Sequence, residues 1–458
     1  MNLKTTETLV SAVSEGLPMA IDLLAQLVAE PSVSGGAEQD STASERTARM
    51  VEQAFRDVGI SKIRLQETPD GSYTVIGCNA AAPDAPTVLL YSHYDIQPVG
   101  DRAVWQSEPY VLTELGARLY GRGAADCKGG IVTHVAALSA LGPTDRLRIV
   151  VVCEGSEERG GTGLIQYMRK NPEEFRSIDV ALIADAGNLS AERPALTISL
   201  RGLLATTIEI SSGEAPLHSG LYGGAAPDAL AALIAVLASM RDASGDTTIH
   251  GLPNDGRWKY APYPAENFIE DARLLPGIQP VGTSDPASQI WAKPALTIMG
   301  IDVPSLDSAA PVIQSKARAI VNLRIPPGTD ALYASQALEE HIHNHTPWGL
   351  EARVTHFSCS RGISVDTESR TFRAFAKALE NSYANEVDFI GAGGSIPFCQ
   401  ALLEASPDSV MLLYGPADPL SHIHAANESV GVRALESTIS AEVQLLKTLI
   451  LETAPLGA

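Results

Sequence analysis

The amino-acid sequence predicts an α/β fold in which a mostly parallel sheet, flanked by helices, is interrupted by an inserted α+β domain. Continuous apolar strands alternate with helices up to about residue 190, as in a parallel sheet covered on both faces. Near residue 195 the strands become alternating, and after about residue 360 the first pattern resumes. The length of 458 residues also exceeds one ordinary core. We therefore expect a discontinuous domain (1–195 and 361–458) around an insert (196–360).

The first part of this domain is predicted to begin with two helices. The stretch MAIDLLAQLVAE has helical spacing and stops at Pro31, and TASERTARMVEQAFRDVG opens with a capping box formed by Thr42 and Glu45. Short β-branched strands follow, and the rhythm of strand, polar loop and helix then begins. Its strands are TVLLYS, LRIVVVC and VALIA, and its helices are IVTHVAALSALG and GLIQYMRK.

The insert is predicted to contain an antiparallel sheet with two helices. Its strands are ALTISL, LLATTIEIS, ARAIVNLRI and EARVTHFS, and its helices are 226–241 and DALYASQALEEHIHNH. A proline-rich region up to about residue 295 is expected to be irregular. Beyond the insert we expect a helix at 367–383, a strand at 409–415 and a long helix at 429–452.

Composition limits the classes of partner. There are 54 acidic and 33 basic residues, a net charge of -21, whereas nucleic acid and anionic membranes require a basic surface. The start of the chain lacks the features of a signal peptide, and the longest apolar run, residues 229–240, is far shorter than a membrane span. Five cysteines without a CxxC pair suit a reducing compartment. We expect a cytoplasmic protein with no nucleic-acid or membrane partner.

Acidic and imidazole side chains follow every strand of the predicted parallel sheet. Ligands gather outside the carboxyl ends of such strands. Taken singly, each residue is more often a turn or cap residue, but together these carboxylates would repel unless cations lay among them. Imidazole mixed with carboxylate suits Zn²⁺, and also Mn²⁺ or Co²⁺, and the number of ligands suits two ions. The residues are His93, Asp95, Asp126, Glu154, Glu157, Glu158, Asp185, His422 and His424.

The glycine-rich stretch LYGRGAADCKGG, residues 119–130, resembles a phosphate-binding loop at first sight. It lacks the GK[ST] ending of a Walker loop, and Asp126 stands where a dinucleotide loop has its third glycine. A carboxylate there would repel a phosphate. We expect the glycines to allow tight packing while Asp126 points into the acidic cluster.

These motifs resemble those of the two-zinc aminoacylase/carboxypeptidase/dipeptidase family, in particular its carnosinase-type dipeptidase branch. The similarity covers nearly the whole chain. SHYDIQPV resembles the family's H-x-D motif, GRGAADCKGG its G-R-G-x-x-D-x-K-G motif, and EGSEERGG its E-G-x-E-E-x-G motif. RGLLATTIEI with LHSGLYGG resembles the start of the lid domain, and GGSIP and the H-x-x-N-E frame at 424–428 resemble the final pair.

The resemblance implies a role for each matching residue. His93 would bind one metal ion and His424 the other, and the H-x-x-N-E frame selects His424 over His422. Asp126 would bridge the ions, with Glu158 and Asp185 completing the separate coordination spheres. Behind the ligands, the carboxylate of Asp95 would accept the ring N–H of His93. Glu157 would be the general base, pointing away from Glu158 in an extended loop.

The resemblance also implies the reaction: amide hydrolysis, with two divalent ions, of a dipeptide or short peptide with a free carboxylate. An N-acyl-amino-acid amidohydrolase of the same chemistry is the alternative, and a non-catalytic binding protein of this fold would lack a ligand or the base. The insert would be a lid and homodimerisation domain whose His218 reaches the neighbouring subunit's site and stabilises the oxyanion. Arg324, Gly394 and Ser395 would hold the substrate carboxylate.

The chain departs from the family pattern in two places that bear on the site. Cys127 replaces the usual acidic or amide residue after the bridging Asp, a position where the family's peptide bond is commonly cis. Gly391 and Ala392 stand where dipeptidase relatives often carry Arg and Glu. The histidine-rich stretch HIHNH at 341–345 resembles a metal-binding sequence. We interpret it as a solvated helix end, because a spacing of two places neighbouring histidines on different faces of a helix.

Overall fold

The structure is a computed structural model that describes residues 4–36 and 38–452. The chain forms two compact units. The first runs through Ile198 and resumes at Val365–Ile390 and from Ile396 onward, and the second consists of Ser199–Ser364 and Gly391–Ser395. The domain boundaries predicted from the sequence do not include this short return of the chain to the second unit at Gly391–Ser395.

The α-helices are numbered in chain order. They are α1 (Thr6–Val28), α2 (Ser41–Asp57), α3 (Lys128–Leu141), α4 (Thr162–Lys170), α5 (Ser219–Tyr222), α6 (Ala229–Ser239), α7 (Ala265–Asp271), α8 (Ala331–His345), α9 (Arg370–Tyr383), α10 (Pro397–Ala405) and α11 (Val432–Glu452).

The strands are numbered in the same way. They are β1 (Lys62–Glu67), β2 (Tyr73–Cys78), β3 (Thr87–His93), β4 (Thr113–Leu115), β5 (Arg118–Tyr120), β6 (Arg148–Glu154), β7 (Val180–Ile183), β8 (Ala195–Leu200), β9 (Gly202–Ser211), β10 (Leu217–His218), β11 (Ala295–Asp302), β12 (Val312–Ile313), β13 (Lys316–Ile325), β14 (Glu351–Ser360), β15 (Ile363–Ser364), β16 (Asp388–Ala392), β17 (Val410–Leu413) and β18 (Ser429–Gly431).

The first unit is built on a sheet whose centre is parallel, which confirms the predicted fold class. The strand order is β1-β2-β6-β3-β7-β17-β8, and the four central strands β6, β3, β7 and β17 pair in parallel. The flanking pairs β1·β2, β2·β6 and β17·β8 are antiparallel. All seven residues of β3 are buried, as expected where helices cover both faces. Helix α11 packs against α1, α3 and α9, and α4 packs against α10.

The register of the central strands brings several predicted site residues to one edge of the sheet. His93, the last residue of β3, lies opposite Glu154, the last residue of β6. Tyr91 of β3 lies opposite Ile183, the last residue of β7, so Asp185 follows at the same edge. This is the carboxyl edge, where parallel sheets bind ligands.

The second unit contains a four-stranded antiparallel sheet in the order β11-β13-β9-β14. Along β13 buried residues alternate with exposed or half-buried ones, so one face of the strand is apolar and packed. Helices α6 and α8 cover that face, and their core includes Leu233, Leu338 and Val321. Helix α7 was not predicted, because the proline-rich region looked irregular in the sequence, and β11, which begins where that region ends, was not predicted either.

Four local predictions were wrong. The strand ALTISL, expected in the sheet of the insert, is β8 and pairs with β17 in the sheet of the first unit. Asp40, not Thr42, caps α2, because its carboxylate accepts the backbone N–H groups of Thr42 and Ala43. Helix α1 begins at Thr6 and contains Pro18 in its interior. In the HIHNH stretch, His341 is buried rather than solvated: its ring contacts the hydroxyl of Ser239 at 3.0 Å and stacks on His345.

One helix among the described residues, α1, is long and apolar enough to cross a membrane by length and composition alone, with a mean hydropathy of 1.3 over its most apolar window. The core helices of water-exposed domains satisfy the same test. Here α1 buries one face, including Leu9, Val13 and Leu24, and packs against α3 and α11. The helix does not stand out as an uninterrupted apolar run in the sequence, because polar residues such as Glu15 and Asp22 divide it.

Candidate metal centre

The carboxylate of Asp126 lies between two imidazole rings at the carboxyl edge of the sheet. Its Oδ1 is 3.0 Å from His93 Nε2, and its Oδ2 is 2.9 Å from His424 Nε2. One carboxylate therefore faces two separate nitrogen ligands, one with each oxygen.

A further carboxylate accompanies each histidine. Asp185 Oδ1 lies 3.5 Å from His93 Nε2, and Glu158 Oε2 lies 3.2 Å from His424 Nε2. All five residues proposed as metal ligands are thus brought together in two groups that share Asp126. Two other residues predicted at the strand ends have different positions. His422 belongs to neither group of closely spaced candidate ligands in the described chain, and the buried carboxyl of Glu154 accepts the hydroxyl of Tyr91 at 2.5 Å.

The elements that carry the two histidines differ. His93 ends a fully buried strand and is 1% exposed. The side chain of His424 is 53% exposed and lies in the loop before β18, where its φ of 62° is in the left-handed region. Three residues further on, Asn427 fixes this loop by accepting the N–H of Gln106 and donating to the carbonyl of Val104.

Asp95 does not hold His93 in the way the sequence suggested. The ring Nδ1 of His93 is hydrogen-bonded to the backbone carbonyl of Asp95 at 3.1 Å, and the nearest carboxylate oxygen is 3.4 Å away. The Asp95 carboxylate instead accepts the backbone N–H groups of Glu157 and Glu158, at 3.2 and 3.1 Å, and the hydroxyl of Ser34. Asp95 therefore anchors the turn that carries the two glutamates. That turn, Glu157–Arg159, is a 3-10 helix rather than an extended loop.

The glycine-rich loop binds an anion after all, and the anion is the side chain of Glu428. Glu428 Oε1 accepts the N–H groups of Ala125 and Asp126, both at 3.0 Å. Its Oε2 accepts the N–H of Gly123 at 2.9 Å and Arg122 Nη1 at 2.7 Å. Burial raises the pKa of this carboxyl, but each oxygen already has two donors, so an added proton would displace one of them. Glycine is required at 123, where φ is +83° and a Cβ would lie 2.6 Å from Ile96.

Cys127 follows Asp126 through a cis peptide bond, and its Sγ forms a group of candidate ligand atoms with His93 and Asp185, all within 4.8 Å of one another. Its Sγ donates to the carbonyl of Ala184 at 3.0 Å. Burial, followed by the charge of Asp185, raises the pKa of the thiol well above its usual value.

The charges of the cluster are strongly coupled. Hydrogen bonds to Asp126 and then Glu158 raise the pKa of His424 to about 10. Burial lowers the pKa of His93, but Asp185 and other neighbouring acidic groups outweigh it and raise that pKa well above its usual value. Burial raises the pKa of Asp185, and burial together with the charge of Asp185 raises that of Glu157. The cluster thus demands positive charge, and its two imidazoles and three carboxylates form a donor set that fits Zn²⁺, Mn²⁺ or Co²⁺.

The remaining predicted site residues belong to the second unit. His218 is exposed on β10, and its Nδ1 accepts the N–H of Gly220, which leaves Nε2 as the protonated ring nitrogen of the neutral form. Arg324 is half-buried on β13, and burial lowers its pKa. Gly394 and Ser395 lie in the loop between β16 and α10, where Gly394 has open space around it.

A second arginine, which the sequence motifs do not single out, lies near Arg324. Burial and then the charge of Arg324 lower the pKa of Arg201 to about 10. Arg201 donates to the carbonyl of Gly393, in the loop that carries Ser395. Within the described chain, neither guanidinium has a carboxylate in salt-bridge distance. The departure at Gly391 also has a physical reason: a Cβ there would lie 2.6 Å from the side chain of Trp291, which fills the space of a larger residue.

Comparison with known proteins places the chain. The model of Peptidase family M20/M25/M40 matches residues 89–448. The chain belongs to this family. It is 40% identical over 411 residues to cysteinylglycine-S-conjugate dipeptidase from Corynebacterium striatum, covering 88% of this chain and 90% of the relative. It is 25% identical to human Beta-Ala-His dipeptidase, over 80% of this chain and 76% of the relative.

A solved structure shares the fold. The dipeptidase Dug1p from Saccharomyces cerevisiae superposes with a TM-score of 0.82 at 22% identity, covering 98% of this chain and 99% of that one. The predicted family and its carnosinase-type branch are confirmed. The protein is accordingly an M20 peptidase, a hydrolase of a family whose metallopeptidases bind divalent metal ions.

Proposed function

We propose that this protein is a dinuclear metal-dependent dipeptidase that cleaves Cys-Gly and S-substituted Cys-Gly dipeptides. The observation that carries the proposal is the position of Asp126, with one oxygen 3.0 Å from His93 and the other 2.9 Å from His424. A carboxylate placed in this way suits a bridge between two ions. The substrate class is suggested by the name of the Corynebacterium striatum relative.

In the proposed centre, His93 and Asp185 hold one ion, His424 and Glu158 hold the other, and Asp126 bridges them. When bound, two such ions lower the pKa of a water molecule and polarise the scissile carbonyl. Zn²⁺ is the proposed metal, with Mn²⁺ and Co²⁺ as alternatives.

Glu157 is proposed as the general base. Its carboxylate would take a proton from the attacking water and deliver it to the nitrogen of the leaving amine. Asp95 supports this role, because it holds the backbone N–H of Glu157 at 3.2 Å and that of the proposed ligand Glu158 at 3.1 Å. The base and the ligand therefore share one anchor.

We further propose the first unit as the catalytic domain and the second as the lid and dimerisation domain. Arg324, Gly394 and Ser395 are proposed to hold the substrate carboxylate, which is favoured by the lack of a carboxylate partner for Arg201 and Arg324 among the described residues. His218 is proposed to stabilise the oxyanion in the site of a second subunit. Homodimerisation is supported by β11, an edge strand with exposed Met299 and Ile301.

The proposed compartment is the cytoplasm, since all five cysteines are free.

A substrate panel on metal-reconstituted protein tests this proposal. We expect kcat/KM for Cys-Gly and S-benzyl-Cys-Gly to exceed that for N-acetyl amino acids by about tenfold or more, because a pocket for an α-amino group rejects an acyl group that cannot pair with it. Removal of metal with a chelator should abolish activity, and Zn²⁺, Mn²⁺ or Co²⁺ should restore it. Preference for N-acetyl amino acids would favour the deacylase alternative, and full activity without metal would refute the proposed mechanism.

A further inference from the structure

The carboxylate of Glu428 occupies the place that a phosphate takes in other glycine-rich loops. Three backbone N–H groups of residues 123–126 and the guanidinium of Arg122 converge on it. Such a concave row of backbone donors is an anion-binding nest. Glu428 is 1% exposed and Arg122 is 2% exposed, so this anion site is closed to solvent and filled from within the chain.

The nest is connected directly to the proposed bridging ligand. One of its donors is the backbone N–H of Asp126 itself, whose carboxylate lies between His93 and His424. Rotation of this peptide unit would move the Asp126 side chain, so the Glu428 contact restrains where that carboxylate points.

Glu428 also restrains the second histidine. It lies four residues after His424, and Asn427, its neighbour, is bonded to the segment at 104–106. The carbonyl of Glu428 accepts the N–H of Gly121 at 2.9 Å, so both its side chain and its backbone bind the loop of Asp126. The loop of His424 and the loop of Asp126 are thereby joined at one residue.

We propose that Glu428 is a positioning residue that sets the distance between Asp126 and His424, and so the affinity of the outer metal position formed by Asp126, Glu158 and His424. The inference rests on the proposed function, because it takes Asp126 and His424 as ligands. Glu428 touches neither substrate nor metal in this arrangement. It acts through the backbone of one ligand and the loop of the other.

The test measures metal binding rather than turnover. Apo-protein of the full chain, as wild type and as Glu428→Gln, is titrated with Zn²⁺ by calorimetry, and the visible spectrum of the Co²⁺ form is recorded. The amide of glutamine keeps the shape but turns an NH₂ group toward N–H donors, so the nest should open. We expect the affinity of one of the two ions to fall about 10- to 100-fold, with a changed Co²⁺ spectrum.

A matched control separates positioning from general stability. Glu442→Gln also removes a fully buried carboxylate, which accepts the Nδ1–H of His134 at 3.0 Å and the hydroxyl of Tyr414 at 2.5 Å, two groups that are not proposed metal ligands. It should lower the melting temperature but leave Zn²⁺ affinity and the Co²⁺ spectrum unchanged. If Glu428→Gln behaves as this control does, Glu428 has a merely structural role and the proposal is wrong.

Two further measurements cover the remaining cases. If Glu428→Gln does not fold, Glu428→Asp, which keeps the charge but shortens the side chain by one methylene group, is titrated in the same way; unchanged Zn²⁺ affinity and an unchanged Co²⁺ spectrum would overturn the proposal. Wild-type protein that binds no divalent ion would instead refute the metal centre itself, so the wild-type titration distinguishes the two failures.

Discussion

His93 and His424 face opposite oxygens of the same carboxylate, yet the chain holds them in different ways. His93 is 1% exposed at the end of a buried strand, and its second ring nitrogen is bonded to the backbone of Asp95. His424 is 53% exposed, lies in a loop and depends on that loop's contacts through Asn427 and Glu428. The inner metal position, formed by His93, Asp185 and Asp126, is thus set by the sheet. The outer metal position, formed by Asp126, Glu158 and His424, is set by contacts between loops.

This difference separates two sources of order in one site. The parallel centre of a sheet fixes its strand ends because each central strand is hydrogen-bonded to its neighbours and buried on both faces. A loop must be held by individual contacts, each of which can be removed by one substitution. We therefore expect the outer ion to exchange faster and to be lost first on dilution or chelation.

The largest effect on activity should come from substitution of Asp126, which is shared by the inner and outer metal positions. Asp126→Asn halves the negative charge available to each ion, and we expect both ions to be lost and kcat/KM to fall by roughly 10⁴-fold or more, since metal activation supplies several kcal/mol. Metal content by mass spectrometry and steady-state kinetics measure this. Retention of one tightly bound ion would show that Asp126 serves one half alone.

Glu157→Gln should lower turnover without releasing an ion from the inner or the outer metal position. Because Glu157 is proposed as the base and not as a ligand, kcat should fall about 10²- to 10⁴-fold while two ions stay bound. Calorimetry of Zn²⁺ binding alongside kcat gives both quantities. Loss of an ion in this variant would assign Glu157 to the coordination sphere.

The same division between sheet and loop separates the residues of this centre that the sequence predicts from the contacts that it does not. His93 and Asp185 are predictable because parallel strands deliver their last residues and those that follow to one edge, whereas Asp126 lies in the glycine-rich loop before α3. The family resemblance supplied the roles of all three. The contact of Glu428 is not predictable although the residue belongs to the H-x-x-N-E frame: glycines and a basic residue signal an anion nest, but a pattern of local sequence does not say which anion fills it. Likewise, the sequence alone does not show whether the carbonyl or the carboxylate of Asp95 accepts the hydrogen bond from the ring of His93.

The second unit shows a different limit. The return of Gly391–Ser395 to this unit depends on contacts between segments far apart in the chain, among them Arg201 with the carbonyl of Gly393 and Gly391 with Trp291. The polar helix surface around His341 predicts a solvated ring, and the burial of that ring against Ser239 of another helix is a tertiary effect. Such pairings leave no periodic signal.

Substitution of each histidine in turn sharpens the comparison between the halves. Removing the buried ring in His93→Ala leaves a cavity beside buried carboxylates, and we expect a stability loss of about 2–4 kcal/mol as well as loss of one ion. His424→Ala should lose the outer ion with a smaller loss of stability, since the ring is 53% exposed and its removal leaves no buried cavity, although it takes a cation away from Asp126 and Glu158. Thermal unfolding of the metal-free proteins compares them. Equal losses of stability would mean that the loop is held as firmly as the strand.

The smallest effect is expected at Cys127, the thiol beside the inner position. Its Sγ donates a proton to the carbonyl of Ala184, and a thiol that keeps its proton is not a metal ligand, because coordination requires the thiolate. Cys127→Ser keeps a donor at the same place, so kcat/KM should stay within about twofold, the scale of one retained neutral hydrogen bond. The Co²⁺ form of the wild type should also lack the strong near-ultraviolet charge-transfer band of a cobalt thiolate. A band that is present in the wild type and absent in Cys127→Ser would make this sulfur a ligand, and the inner half would then differ from the outer in chemistry as well as in burial.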